Sequence, residues 1–217
     1  MDYLLSILGP LGQGAVITLK LFFITLALSL PLGLVVALLR ISQFRPVSVA
    51  VNGYIWLMRG TPLMLQLFFF YFGLPYVPII GVELPGFQAA VVAFALNYAA
   101  YFAEIFRAGI QSISKGQYEG AKVLGLSYIQ TMRRVILPQM IKRILPPMSN
   151  ETITLVKDTS LLYVLTIYDL MLTARVIANR DFTVIPFLAA AVFYLVITLL
   201  LTFGFQRLEK KYAVYDD

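Results

Sequence analysis

The chain of 217 residues has no cysteine and no histidine. The first absence excludes disulfides and thiolate metal sites, and the second excludes imidazole acid–base chemistry. Charge is scarce as well. Asp, Glu, Lys and Arg make up 13% of the residues against 60% hydrophobic, and the mean hydropathy of +0.84 excludes an ordinary water-soluble domain. No GxxxxGK[ST] loop occurs, so the chain has no phosphate-cradling loop of its own. A membrane enzyme would lack Cys, His and any convincing nucleophile constellation, so no catalytic or metal-ligating residue is assigned. What the chain does have is apolar runs long enough to cross a hydrocarbon layer, with little left over for a soluble part. The expectation is an all-α membrane protein with a single domain over 1–217. Asp2 stands where a cleavable signal would carry Lys or Arg, so the first apolar run is expected to stay in the mature protein.

Five spans are read, at 15–39, 46–73, 88–106, 139–156 and 184–205. Residues 2–12 are too short and interrupted to cross, and their mixed character predicts a separate helix lying on the membrane surface. The second run is broken at Arg59-Gly60-Thr61-Pro62. Residues 160–180 are apolar but contain Asp169 and Arg175, and are read as an outer-side or re-entrant helix. With five spans, Arg40, Arg45, Arg107, Arg133, Arg134, Arg207, Lys210 and Lys211 share one side, while Lys157, Arg175 and Arg180 fall on the other. The positive-inside rule then puts the N-terminus outside and the C-terminus in the cytoplasm. The net charge of +6 is spread over several loops as headgroup-facing residues, which gives nucleic-acid binding little support.

Residues 117–138, QYEGAKVLGLSYIQTMRRVILP, form a mixed-charge helical island between the third and fourth spans. On this topology the island faces the cytoplasm. A short helix over 117–124 carries Glu119 in its first turn, where the helix dipole favours it. Gly120 and Ala121 present a small face for another surface to approach, and Gly125 breaks the helix. A second helix over 127–136 starts with Ser127 as N-cap, and Pro138 stops it or opens the next span.

Glu119-Gly120-Ala121, Gly125 and Ile136-Leu137-Pro138 together resemble the EAA loop of the membrane subunits of ABC importers. Arg59-Gly60-Thr61-Pro62 with Leu63 and Gln66, and Lys157-Asp158-Thr159-Ser160-Leu161, are similar to the polar amino-acid branch of that family, the arginine, histidine and glutamine permeases. Gly120 departs from the usual Ala, which loosens the helix without removing its small face. The resemblance implies a type I ABC importer transmembrane fold in the inner (cytoplasmic) cell membrane. It also implies a translocation path formed with a second permease subunit, identical or related. Glu119, Gly120, Ala121, Lys122, Gly125 and Leu126 would couple to separate cytoplasmic ATPase subunits that carry the ATP and Mg. An extracytoplasmic solute-binding protein would deliver the substrate.

Polar groups at membrane depth are costly, so each is a candidate for function. Asn97 lies mid-way along the third span. Glu151 and Asp158 are seven residues apart in a helix, on nearly the same face and roughly 10 Å apart along its axis. Two anionic groups with an amide nearby suit a cationic side chain or an α-ammonium group, so Asn97, Glu151 and Asp158 are read as the site of a polar, basic amino acid, with Tyr98 and Tyr101 as walls. Structural roles compete for each. Glu151 could pair with Lys157 or another base, Asp158 could cap Thr159-Ser160, and Asn97 could bond across helices. Glu104 is left out of the site as the i+3 partner of Arg107. Arg59, beside Gly60 and Pro62, is read as bracing the backbone rather than as a gate or a clamp on a substrate carboxylate. A cation channel lined by Glu151 and Asp158 is the alternative function, but it gives no account of the EAA pattern.

Overall fold

The computed structural model describes residues 2–78 and 81–212, and among these every regular element is helical. The helices are α1 (Asp2–Arg40), α2 (Arg45–Gly60), α3 (Leu63–Phe68), α4 (Gly86–Gln111), α5 (Lys115–Val123), α6 (Tyr128–Thr131), α7 (Leu137–Asp158), α8 (Leu170–Asp181) and α9 (Ile185–Tyr212). A π-helical turn (Phe69–Gly73) and a 3₁₀ turn (Leu74–Tyr76) extend α3, a second π turn (Met132–Ile136) joins α6 to α7, and a 3₁₀ segment (Thr159–Leu165) follows α7.

By length and composition, α1, α4 and α9 are each able to cross a membrane, and two bent pairs raise the number to five if each pair is one span. The first pair is α2 with α3 and its extension, bent by 106°; the second is the run from Tyr128 to Leu165 with α8, bent by 56°.

α1 corrects the expectation of a separate surface helix over 2–12. Its 39 residues run unbroken through Pro10 and Pro31, a length of about 58 Å at the α-helical rise. The first turns stay in register because they have a partner: Ile7 and Leu11 are fully buried against Leu170, Ala174 and Ile177 of α8 and Ala190 of α9. The Tyr3 hydroxyl donates to Asp181 Oδ2 at 2.9 Å, tying the start of α1 to the end of α8.

The larger core surrounds α4, whose Ala89, Ala90, Ala93, Ala99, Ala100 and Ala103 are buried along with Phe94, Tyr98 and Phe102. Small residues let helix backbones approach closely where lipid offers no hydrophobic incentive to associate. α1 meets them with Gly33. A Cβ there would lie 2.9 Å from Phe102 Cβ and 3.1 Å from the Ala99 carbonyl oxygen, and the second of these is backbone that cannot turn aside.

Of the two readings of Pro138, the second holds: it opens the next long helix and does not stop the one before it. It sits in the first turn of α7, where a missing N–H costs nothing, and the π turn carries α6 directly into α7. The helix expected over 117–124 is seen as α5 and ends as expected. Gly125 takes φ +72°, its N–H donates to the Lys122 carbonyl, and Leu126 N–H donates to the Ala121 carbonyl. Ser127 caps α6 within a capping box completed by Gln130.

Candidate functional site

The break between α2 and α3 is a local problem in hydrogen bonding. In a continuous helix the Met58 carbonyl would accept from the N–H of residue 62, but residue 62 is proline and has none. Two side-chain amides take its place: Asn97 Nδ2 on α4 and Gln66 Nε2 on α3 both donate to Met58 O at 2.9 Å. Asn97 also donates to Gln66 Oε1 at 3.0 Å, and Gln66 reaches Thr61 O at 3.2 Å and Thr61 Oγ1 at 2.8 Å. The Thr61 hydroxyl in turn donates to Leu57 O at 2.8 Å. Backbone groups freed inside a bilayer must find partners within the protein, and this network provides them. Asn97 is therefore occupied across helices, with both amide hydrogens committed. Gln66 is the residue whose role the sequence reading missed; the signal was its position four residues after a proline.

The kink opens a cavity of ≈ 490 Å³ lined by Arg59, Gly60, Thr61, Pro62 and Leu63 from the break, Asn97, Tyr98 and Tyr101 from α4, and Glu151, Thr154 and Asp158 from α7. All five sequence-predicted binding residues line it. Glu151, Thr154 and Asp158 follow at i, i+3 and i+7, so one face of α7 supplies them. Thr154 went unnoticed although that spacing contains it.

Asp158 does not cap the 3₁₀ segment. It makes no side-chain cap bond there and instead accepts from the Tyr98 hydroxyl at 2.7 Å. Lys157 is exposed, and Glu151 has no hydrogen bond or ion pair among the described residues; the charge of nearby Arg59 acts on it without contact, which leaves its carboxylate oxygens open to the cavity. Tyr98 is 1% exposed, its ring stacked at 6.3 Å on Phe94, so its hydroxyl is held firmly in place. Tyr101 is half-buried and forms a wall.

A second cavity of ≈ 580 Å³ adjoins the first. Glu104, Arg107, Ser112, Arg143, Pro147 and Asn150 line it, and it shares Arg59, Tyr101 and Glu151 with the first cavity. These three residues form a waist between an acidic chamber beside the middle of α4 and a basic one near its C-terminal end. Glu104 pairs with Arg107 as expected, at 3.0 and 2.7 Å, and Arg59 Nη1 lies 3.8 Å from Glu104 Oε2.

The residues of the 117–138 loop separate by exposure. Glu119, Gly120, Lys122 and Gly125 are exposed and Leu126 is half-buried, but Ala121 is 4% exposed and packs inward, so it corrects the reading of a small face shared with Gly120. The loop's large apolar side chains, Val123, Leu124, Tyr128 and Ile129, are exposed instead, Val123 to 86%. The sequence reading passed over them because apolar residues in a membrane protein look ordinary.

A kinked, polar-lined cavity between helices, joined to an exposed apolar loop, is the architecture of a transport component. Residues 29–214 match the family described as "Binding-protein-dependent transport system inner membrane component", and the chain belongs to that family. It is 42% identical over 205 residues to the arginine transport system permease protein of Bacillus subtilis (strain 168), covering 94% of this chain and 93% of that one. It is 43% identical over 195 residues to a protein of the same organism described as a probable glutamine ABC transporter permease, covering 89% of each. A solved amino acid ABC transporter with histidines superposes with a TM-score of 0.86 at 36% identity, over 96% of this chain and 97% of that one. The type I ABC importer fold follows from these likenesses.

Proposed function

We propose that this chain is the membrane subunit of an ATP-driven importer of polar amino acids, with basic ones such as arginine, lysine or histidine preferred. The single observation that carries the substrate class is the pair Glu151 and Asp158 facing one cavity, with Tyr98 fixing Asp158 and Glu151 making no hydrogen bond or ion pair among the described residues. Its size, ≈ 490 Å³, is in the range of small-molecule sites. The names of the relatives agree on amino acids and divide between arginine and glutamine.

In this reading α1, the α2–α3 pair, α4, α7 and α9 are five spans, with the N-terminus outside, the C-terminus in the cytoplasm and α8 on the outer side. The path is completed by a second permease subunit, and a solute-binding protein delivers substrate from outside. Val123, Leu124, Tyr128 and Ile129 dock with Glu119, Gly120, Lys122, Gly125 and Leu126 against a cytoplasmic ATPase that supplies ATP and Mg. Ala121 supports the helix from within.

The test is ligand-stimulated ATP hydrolysis and uptake by the assembled complex. Glu151→Gln removes one charge-assisted contact, worth about 2 kcal/mol, and raises the KM for arginine roughly thirtyfold. Unchanged arginine transport by an intact Glu151→Gln complex would defeat the basic-substrate reading, and full-rate transport without ATPase subunits would defeat the importer reading.

A further inference from the structure

Among the described residues Arg59 is the one cation lining the cavity that holds Glu151 and Asp158, and its role follows from what it does not do. The sequence reading gave it the task of bracing the Gly60-Thr61-Pro62 break. That task is taken by Asn97 and Gln66, which donate to Met58 O and Thr61 O, and Arg59 has no part in the network.

Among the described residues Arg59 makes no side-chain hydrogen bond. Its guanidinium stands 5.2 Å over the Tyr101 ring and 3.8 Å from Glu104, beyond hydrogen-bond reach. Arg107 already holds Glu104 through two bonds, at 3.0 and 2.7 Å, and reaches Gln111 as well. Arg107 thus takes the hydrogen bonds of Glu104, and Arg59 acts on Glu104 and on Glu151 by charge alone, with its N–H donors unspent. Its side chain is 42% exposed, at the waist shared by the two cavities. The aromatic face and the distant carboxylate set the plane and position of the fork without using its donors.

We propose that Arg59 binds the α-carboxylate of the transported amino acid. A planar fork of unspent N–H groups fits a carboxylate through two parallel bonds, which an ammonium group does not do. Asp158 lines this cavity and not the second one, and it takes the ammonium or cationic end together with Glu151 at the waist. The substrate therefore sits with its carboxylate toward the chamber of Arg107 and Arg143 and its positive end toward Asp158. Arg59 makes the site select amino acids over amines of the same side chain. This inference rests on the amino-acid importer reading above.

The experiment compares arginine with agmatine, its decarboxylated analogue, and glutamine with its decarboxylated analogue, in uptake by the complete complex. The wild-type complex prefers the member carrying the carboxylate by about thirtyfold or more in kcat/KM. Arg59→Gln removes that preference by raising the KM for the amino acid while leaving the amine unchanged, and Arg59→Lys, which keeps the charge but not the fork, loses part of it. Co-purification of the ATPase and permease subunits confirms that each variant assembles. If Arg59→Gln fails to assemble, the Arg59→Lys comparison decides alone. Equal loss for acid and amine, or an unchanged KM for the amino acid in an assembled variant, overturns the carboxylate role and leaves the importer reading standing. Failure of the wild-type complex to handle arginine or glutamine overturns both.

Discussion

Of the helices α4 and α9, the more apolar is the less buried: α9, with mean hydropathy 2.4, has 11% of its apolar stretch buried, against 67% for α4 at 1.6. The difference lies in side-chain size and not in hydrophobicity. α4 presents a face of alanines interrupted by Asn97, Tyr98 and Tyr101, so neighbouring backbones come close and polar groups are enclosed. α9 displays Leu188, Val192, Leu195, Leu199, Leu200 and Phe203, all exposed, with only Pro186 and Ala190 buried in this chain. In a bilayer, large apolar side chains gain nothing by leaving lipid for protein, whereas small ones permit contacts that lipid cannot offer. Burial therefore marks the helix that builds the site.

The comparison breaks most sharply at a pair of glycines. Gly33→Leu forces a side chain into the Ala99–Phe102 backbone of α4 and is expected to destabilise the protein by about 3 kcal/mol. Gly204→Leu on α9 meets nothing within 4 Å and is expected to change stability by no more than about 0.5 kcal/mol. Thermal unfolding of the two variants in the same detergent checks this, and similar losses would show that α9 is packed as tightly as α4.

A smaller effect is expected from the polar part of α4. Asn97→Ala removes one of the two donors to Met58 O and leaves Gln66 Oε1 unpaired, a loss of about 2 kcal/mol. Gln66→Ala should cost a similar amount, and the double variant less than the sum, because both act on one carbonyl. Additive losses in a double-mutant cycle would mean that the two amides do not cooperate at the break.

The smallest effect concerns where α4 leads. Through α5 it connects to Leu124, exposed to 78%, and Leu124→Ser is expected to weaken ATPase association by about 1 kcal/mol, roughly fivefold, with no change in the stability of the permease alone. An equal loss from a Leu199→Ser substitution on α9 would point to general disturbance and remove Leu124 from the docking surface.

Much of this organisation was legible in residue order. Gly125 as a helix terminator, Ser127 as a cap, the break at Gly60-Thr61-Pro62 and the shared face of Glu151 and Asp158 all depend on contacts within a few residues or on helical spacing, which local sequence encodes. The readings that failed depended on distant partners. Residues 2–12 look too broken for a continued helix until α8 and α9 cover Ile7 and Leu11. Ala121 looks like a contact surface until its burial is known, and Arg59 looks like a brace until Asn97 and Gln66 are seen to fill that place.

Composition, periodicity and turn chemistry alone determined that this is a helical membrane protein with a mixed-charge loop and two acidic residues on one helix face, because each of those properties is a sum over neighbours in sequence. Which polar groups are consumed by the fold and which remain for a ligand was decided only in three dimensions. A hydrogen-bond donor is spent or free according to what stands within about 3 Å of it, and for Asn97 and Arg59 those neighbours come from other helices.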